Sequence, residues 1–412
     1  MSDYTTDGKG QNTMGKKLQP KLRFRGFTDD WEPRRLSDYF EFLKTNTLPR
    51  SYLEVSESGI VDIHYGDILI NYDSCLPIGH NALPCLKDEK HLDNHVDSFL
   101  ADGDVVFADT AEDSSAGKCV ELLSIGQRRV LAGLHTIAVR SKVQHGIGYF
   151  GFYFNSPSYR KQLLPKMQGS KVVAVSKDVL KNSILSVPSL KEEIAIGTLL
   201  RKLDNLIAAE KRKLDLLKDK KTALLRQIFD QKARFKGYTD PWEQRKLGDI
   251  LSYEQPYEYI VSSDDYSPVA RTPVLTAGKT LILGYTNEAD GIKAVTKDSP
   301  VIIFDDFTAS SHIIDYSFKI KSSAMKILSL RDSENDLYCI YYALTRIIRP
   351  SASHERQWIS KYARATVTIP SKDEQQVIGD FLRKLDRLIA AESRKIDLLE
   401  LKKKALLQQM FV

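Results

Sequence analysis

The chain has 412 residues, of which 42% are hydrophobic and 28% charged, with a formal net charge of +6. That length holds two or three domains with cores of their own, the composition is that of an ordinary soluble protein, and no run nears the ~18 apolar residues that span a membrane. The mild positive balance leans toward a polyanionic partner, and the spacing of Cys75, Cys85, Cys119 and Cys339 fits buried thiols in a reducing, cytoplasmic compartment and gives no metal site.

Residues 1–17 are polar, lack the apolar stretch of a signal peptide and read as a disordered tail. The motif Arg23-Phe24-Arg25-Gly26-Phe27-Thr28-Asp29-Asp30-Trp31-Glu32 follows. It returns at an offset of 211 as Arg234-Phe235-Lys236-Gly237-Tyr238-Thr239-Asp240-Pro241-Trp242-Glu243. Trp31 and Trp242 occupy matching points outside the dissimilar segments, so their expected role is packing at a domain–helix junction, not stacking on a base. Residues 39–187 form a first body that alternates short β-rich runs with turns. Within it 66–70, 103–107 and 135–139 read as strands and 149–164 as an aromatic-rich helix.

Residues 188–229 predict a helix of about forty residues, roughly 60 Å long, that begins at Pro188 with Ser189 and Glu192 at capping-box spacing. Leu200, Leu203, Ile207, Glu210, Leu214, Leu217, Lys221, Leu224 and Ile228 step by 3 and 4, as the inward positions of a coiled coil do. A second body, residues 250–369, has strands expected at 280–283, 300–304 and 324–328 and a helix at 337–348. The long helix then recurs at 370–411, with 27 of 42 positions identical at an offset of 182. Its cap is Ser371 with Glu374, and its seam is Leu382, Leu385, Ile389, Glu392, Ile396, Leu399, Lys403, Leu406 and Met410. Each seam carries one Glu and one Lys. An antiparallel register that faces Glu210 with Lys403 and Lys221 with Glu392 pairs them, and it places Leu203 on Met410 and Ile228 on Leu385. A parallel register would stack like charges. A scaffold duplicated around two different bodies suits a protein that reads two different things at a set distance.

Motifs for covalent chemistry fail on inspection. Ala277-Gly278-Lys279-Thr280 ends like a phosphate-binding loop, but Pro273 stands where its first glycine is needed. Gly146-Ile147-Gly148-Tyr149-Phe150-Gly151 spells GxGxxG in a chain without repeated βαβ units, so it is read as chance. The eight histidines form no nucleophile pattern. Asn155-Ser156-Pro157-Ser158 is not the Asn/Asp-Pro-Pro-aromatic tetrapeptide of an amino-methyltransferase.

The chain resembles the specificity subunits of Type I restriction–modification enzymes, from about Leu22 to Phe411. The resemblance is carried by the leading motifs ending in Trp31-Glu32 and Trp242-Glu243 and by Leu131-Ala132-Gly133-Leu134-His135-Thr136. Phe304-Asp305-Asp306-Phe307-Thr308, Lys321-Ser322-Ser323-Ala324 and the paired proline-led helices carry it too. It implies an α+β fold: two mixed α/β target recognition domains (18–187 and 233–369) separated by a long antiparallel two-helix coiled coil (188–232 and 370–412), with a pseudo-twofold internal repeat. Each domain then reads one half of a bipartite, asymmetric DNA target. The helices set the non-specific spacer, since DNA advances one turn per ~34 Å. It further implies a chain without catalysis or cofactor of its own. Its partners would be double-stranded DNA, two methyltransferase subunits that use S-adenosylmethionine, and two restriction subunits that use ATP and Mg for translocation and cleavage. The second body is 29 residues shorter than the first, so the two half-sites need not be alike.

Base reading calls for Arg, Lys, Asn, Gln, Ser or Thr on groove-facing loops. The candidates in the first body are Ser114, Ser115, Lys118, Arg128, Arg129, Gln168, Ser170 and Lys171. Those in the second are Lys279, Tyr285, Asn287, Thr308, Ser310, Ser311, Lys361 and Arg364. The basic stretches Lys211-Arg212-Lys213 and Lys402-Lys403-Lys404 are either a solvated face or surfaces for spacer DNA or partner. Two rival functions stay open from the residues alone. A self-contained methyltransferase would methylate DNA as the purified chain, and a protein-only coiled-coil adaptor would show no salt-sensitive DNA binding.

Overall fold

The computed structural model describes residues 18–88, 90, 98–169, 171–276, 280–349 and 356–412; the N-terminal tail, Ser170 and Lys279 lie outside them. The chain divides into two compact units, Met1–Lys211 with Lys395–Val412, and Arg212–Arg394. The division cuts both long helices, which the sequence boundaries had kept whole, because each half-helix packs with the opposite half of the other.

The first unit is built on a five-stranded sheet in the order Phe40–Phe42, Thr136–Ser141, Val105–Ala108, Cys119–Leu123 and Cys75–Pro77. All pairings but the last are antiparallel. A four-stranded sheet (Val130–Ala132, Val61–Ile63, Leu83–Leu86, Leu53–Ser56) belongs to the same unit. Phe107, Phe150, Phe154 and Tyr153 fill the core between sheet and helices, all at most 1% exposed. The second unit repeats the sheet with four antiparallel strands: Leu251–Glu254, Met325–Leu330, Val301–Asp305 and Ser311–Ile314. Helix Leu337–Ile347 covers it, with Trp358 and Tyr362 in the core beneath.

Both leading motifs dock in the same way. The strand Glu32–Arg35 pairs antiparallel with Ile184–Val187, and Glu243–Lys246 with Thr366–Ile369, so each motif clips onto the strand that feeds the long helix. Arg23 forks onto Glu192 (2.7 and 2.8 Å), and Arg234 onto Glu374 (3.1 and 2.6 Å). The capping-box glutamates therefore hold the arginines of the leading motifs. Trp31 is buried against Tyr149 and Phe411. Trp242 packs edge-on to Phe229 and donates to Glu374 at 3.2 Å. Both tryptophans are thus junction residues. Leu22 N donates to Gln409 O (2.9 Å) just as Ala233 N does to Gln227 O (3.1 Å), one contact between distant parts of the chain and one along it.

The long helices run Leu190–Phe229 and Lys372–Gln409, antiparallel within each unit. The expected seam is the covered face: Leu203, Ile207, Leu214, Glu392 and Ile396 are buried, and Glu210, Leu217, Lys221, Leu224, Leu385, Ile389, Leu399, Lys403 and Leu406 are half-buried. The expected register is wrong by one heptad. In the first unit Lys403 pairs with Asp204 (2.6 Å) and Glu210 with Lys395 (2.5 Å). In the second, Lys221 pairs with Asp386 and Glu392 with Lys213 (2.9 Å), the same contacts with the helices' roles exchanged. Apolar overlap decides the matter. The observed register lets Ile196 and Leu200 share a core with Met410 and Phe411, and Ile228 share one with Ile378 and Leu382. Each such side chain contributes about 1.5–3 kcal/mol, whereas a half-exposed ion pair contributes about 1 kcal/mol or less. The seam lysines also lie over rings of their own unit, Lys403 5.8 Å from the Phe152 centroid and Lys221 4.7 Å from that of Tyr342.

Three local expectations change. Residues 66–70 are not a strand but part of a helix, Tyr65–Ile70, because His64 Nδ1 caps Gly66 N at 3.3 Å. The helix expected over 149–164 breaks into Phe150–Asn155 and Pro157–Leu163. Pro157 disfavours helical backbone at the residue before it, and Ser156 caps the second piece through Tyr159 N. The strand expected at 280–283 begins later, as Ile282–Thr286.

The Leu131–Thr136 motif has a steric reason for its glycine. A Cβ on Gly133 would stand 2.1 Å from Oδ1 of buried Asp62, whose other oxygen accepts from Asn46 at 2.5 Å. Gly133→Ala is therefore expected to destabilise the first unit by about 3 kcal/mol through overpacking, read as a lower denaturation midpoint. An unchanged midpoint would mean that Asp62 moves aside freely.

Candidate nucleic-acid interface

In the first unit the central strand Val105–Ala108 ends in a loop, residues 109–118, that carries Ser114, Ser115 and Lys118. Thr110–Ala111 pairs with Val173–Ala174, and Gln168 bridges to Ala174, so the turn bearing Gln168 and Lys171 is stitched to that loop. Gly169 makes the turn at φ +107°, a left-handed conformation suited to glycine. Ser114, Gln168 and Lys171 are exposed, and Ser115 and Lys118 half-buried. Arg160, not anticipated from the sequence, fixes the loop by donating to Ala116 O (2.9 Å) and Ser114 O. Lys118 donates to Leu69 O at 3.0 Å, and partial burial lowers its pKa. Lys118, Arg160, Ser115 and Asn155 line one open groove with Asp73 and Asp113.

The second unit repeats this arrangement. The loop after Val301–Asp305 carries Thr308 and Ser310, and Ser311 opens the strand that follows it. Asp305 shapes it by accepting from Phe307 N (2.9 Å) and Thr308 Oγ1 (2.6 Å), and Ala309 turns the chain at φ +59°. Ser310 Oγ lies 3.3 Å from His312 Nε2, and Ser311 O accepts from Tyr341. Lys361 and Arg364 are exposed on the neighbouring segment, with Lys361 Nζ 5.0 Å from the Tyr362 centroid. That segment is joined to the loop through Asp306, whose carbonyl accepts from Gln357 N at 2.8 Å. The equivalent bond in the first unit runs from Val175 N to Asp109 O, also 2.8 Å. Two bodies of unlike sequence thus place the same pair of loops at the end of the same strand.

The remaining candidates lie elsewhere. Arg128 and Arg129 sit in the turn before Val130–Ala132. Arg128 donates to Gly79 O, Asn81 O, Ser56 O and Cys85 Sγ, so its fork ties loops of its own unit together and is not held out to a base. Arg129 is exposed over Phe99. Exposed Tyr285 lies on the strand Ile282–Thr286 of a separate three-stranded sheet formed with Thr272–Leu275 and Lys319–Ile320, and exposed Asn287 follows that strand. Half of the residues in the basic stretches of the helices are engaged in ion pairs: Lys211 with Glu400 (2.6 Å), Lys213 with Glu392 and Lys403 with Asp204.

The GxGxxG letters mark a carboxylate cradle. Gly146 N donates to Glu193 at 2.7 Å, and Gly148 N and Gly151 N donate to Glu121 at 2.5 and 2.8 Å. A Cβ on Gly146 would meet Ile194 N at 2.6 Å, so glycine lets the loop press against the start of the long helix. Burial pushes the Glu193 carboxyl up to about 7. These amides already have acceptors and none is left for a phosphate.

A family model described as the Type I restriction modification DNA specificity domain matches residues 28–219 and again 239–401. A Type I restriction enzyme specificity subunit from Escherichia coli is 43% identical over 165 residues, which are 38% of this chain. The chain spans 41% of the length of that curated relative. The crystal structure of a Type I restriction–modification S subunit from M. genitalium shares the fold, with a TM-score of 0.60 at 12% identity, covering 96% of this chain and 99% of that one.

Proposed function

The chain belongs to the Type I restriction–modification DNA specificity family, and from that premise we propose that each unit reads one half of a bipartite, asymmetric DNA target. The chain supplies specificity, and partner subunits supply the chemistry in the cytoplasm: two methyltransferases with S-adenosylmethionine, and two restriction subunits with ATP and Mg. The reading is carried by one observation: a polar loop at the end of the same strand is tied to a second polar segment in both units, although the two bodies differ in sequence and length. On this reading Ser114, Ser115, Lys118, Gln168 and Lys171 of the first unit would meet DNA, as would Thr308, Ser310, Ser311, Lys361 and Arg364 of the second. Hydroxyls and amides at such positions pair with base edges, and the lysines and arginine with phosphates.

The test is a methylation map of cells expressing the chain with its methyltransferase subunit, compared with cells lacking the chain. A single bipartite methyladenine motif that vanishes without the chain is the expected result. A map that is identical in both cells overturns the reading.

A further inference from the structure

Lys326 and Asp306 form an ion pair in which both side chains are fully buried, 3.3 Å apart. Such a pair is poor ground for stability, since apolar residues of the same size serve as well or better in a core. The first unit supplies that comparison. Lys326 lies across from Phe304, and the matching place across from Phe107 is held by Ile137. The lysine is therefore not required by the sheet. What it faces is the residue that ties the two candidate loops together.

Asp306 makes four contacts. Its N donates to Ala324 O (2.9 Å) and its O accepts from Gln357 N (2.8 Å), as Asp109 does with His135 O (3.0 Å) and Val175 N (2.8 Å). Its carboxylate adds a tie that Asp109 lacks: Oδ1 accepts from Trp358 N at 2.7 Å, while Asp109 Oδ1 takes the hydroxyl of Thr110. Oδ2 faces Lys326 Nζ, which donates to Gln255 Oε1 at 2.8 Å. Trp358 is 1% exposed and packs edge-on to Phe304, so the amide it donates is locked. A charged acceptor in a dry site holds its donor more firmly than a neutral one. Lys326 sets its ammonium 3.3 Å behind that acceptor, and neither side chain is exposed to water.

We propose that Asp306, backed by Lys326, is a positioning residue for the second half-site. It fixes the loop carrying Thr308 and Ser310 against the segment carrying Lys361 and Arg364. The proposal rests on the DNA-reading function above. Rigid support of this kind turns loops that merely touch DNA into loops that discriminate bases.

The experiment compares two double variants of the full chain with wild type, each expressed with the methyltransferase subunit and read by methylation of chromosomal DNA. Asp306→Asn with Lys326→Met keeps an oxygen for Trp358 N and removes both charges. Asp306→Leu with Lys326→Met removes the oxygen as well. The leucine variant is expected to relax discrimination at one half-site by about tenfold, the scale of one lost base contact, and to leave the other half-site as strict as before. The asparagine variant is expected to keep most of the discrimination at both. Two variants that are both as strict as wild type, or both equally relaxed, would overturn the tether. Amide exchange of the wild-type chain tests it without any folding risk. The Gln357 and Trp358 amides are expected to exchange as slowly as those of Val301–Asp305, and exchange at the rate of exposed loops would overturn the proposal. A wild-type map with no bipartite motif would instead remove the function on which it rests.

Discussion

Replacing Glu193 with glutamine stabilises the first unit by about 3 kcal/mol at pH 8 and has almost no effect near pH 4. The sign follows from burial. Glu193 is 1% exposed, and its oxygens receive Gly146 N at 2.7 Å and the Tyr39 hydroxyl at 3.5 Å, with Glu121 nearby and His145 offsetting part of the charge. Its carboxyl is raised from an ordinary 4.5 to about 7, with burial the largest cause. Below pH 4.5 the group is protonated in both folded and unfolded chains, and it carries no penalty. Between 4.5 and 7 the unfolded chain ionises and the folded one does not, so stability falls as pH rises. Above 7 the whole penalty is present, at about 1.4 kcal/mol for every tenfold loss of acidity on folding. Glutamine is neutral throughout and keeps an oxygen for Gly146 N. The second unit already carries this change: Gln375 stands at the matching position, accepting from Asp336 N and donating to Asn335 and Pro370. Denaturation midpoints of wild type and Glu193→Gln at pH 8 and pH 4 decide it. An equal difference at both pH values, or a loss at pH 8, would refute the buried ionisation.

What the sequence revealed and what it hid have separate physical causes. The long helices and their inward face were legible because every third or fourth residue is apolar, and that pattern is written in residue identity. The register was not legible, because two alignments one heptad apart both bring apolar partners together. The choice falls to Ile196, Leu200, Ile378 and Leu382, which gain partners only when the helix ends overlap. Residues 66–70 were misread because a five-residue run with three apolar side chains fits strand or helix alike. The deciding cap comes from His64, a residue outside the usual capping set. The loop positions of Ser114, Thr308 and Lys361 were legible from polar composition beside strands. The difference between Lys118 and Arg128 was not, because it depends on where the guanidinium of Arg128 finds carbonyls: on Gly79 and Asn81, 49 and 47 residues away. Arg160 was passed over for the same reason, being read as part of an aromatic helix when its work is on the loop it holds.

Exchanging residues 39–187 for the corresponding body of another family member is expected to replace the first half of the methylated motif and leave the second half untouched. The frame that stays behind is joined to this body by contacts that depend little on its sequence. Glu32–Arg35 pairs with Ile184–Val187 through backbone alone, and Arg23 and Glu192 both lie outside the exchanged segment. The apolar clusters of the first unit draw on residues 18–200 and 406–412, and those of the second on 225–382. Nothing in the second unit's core is therefore altered by the exchange. The sensitive points are the glycine loop on Glu193 and the aromatic packing of Tyr149 and Tyr153 on Phe411. A donor body that brings a glycine and aromatic side chains to those places keeps the fold, and one that does not fails to fold at all; it does not alter specificity. Methylation mapping separates the outcomes. A motif changed in its first half alone supports two independent readers, whereas a motif changed in both halves means that the bodies read DNA as one surface.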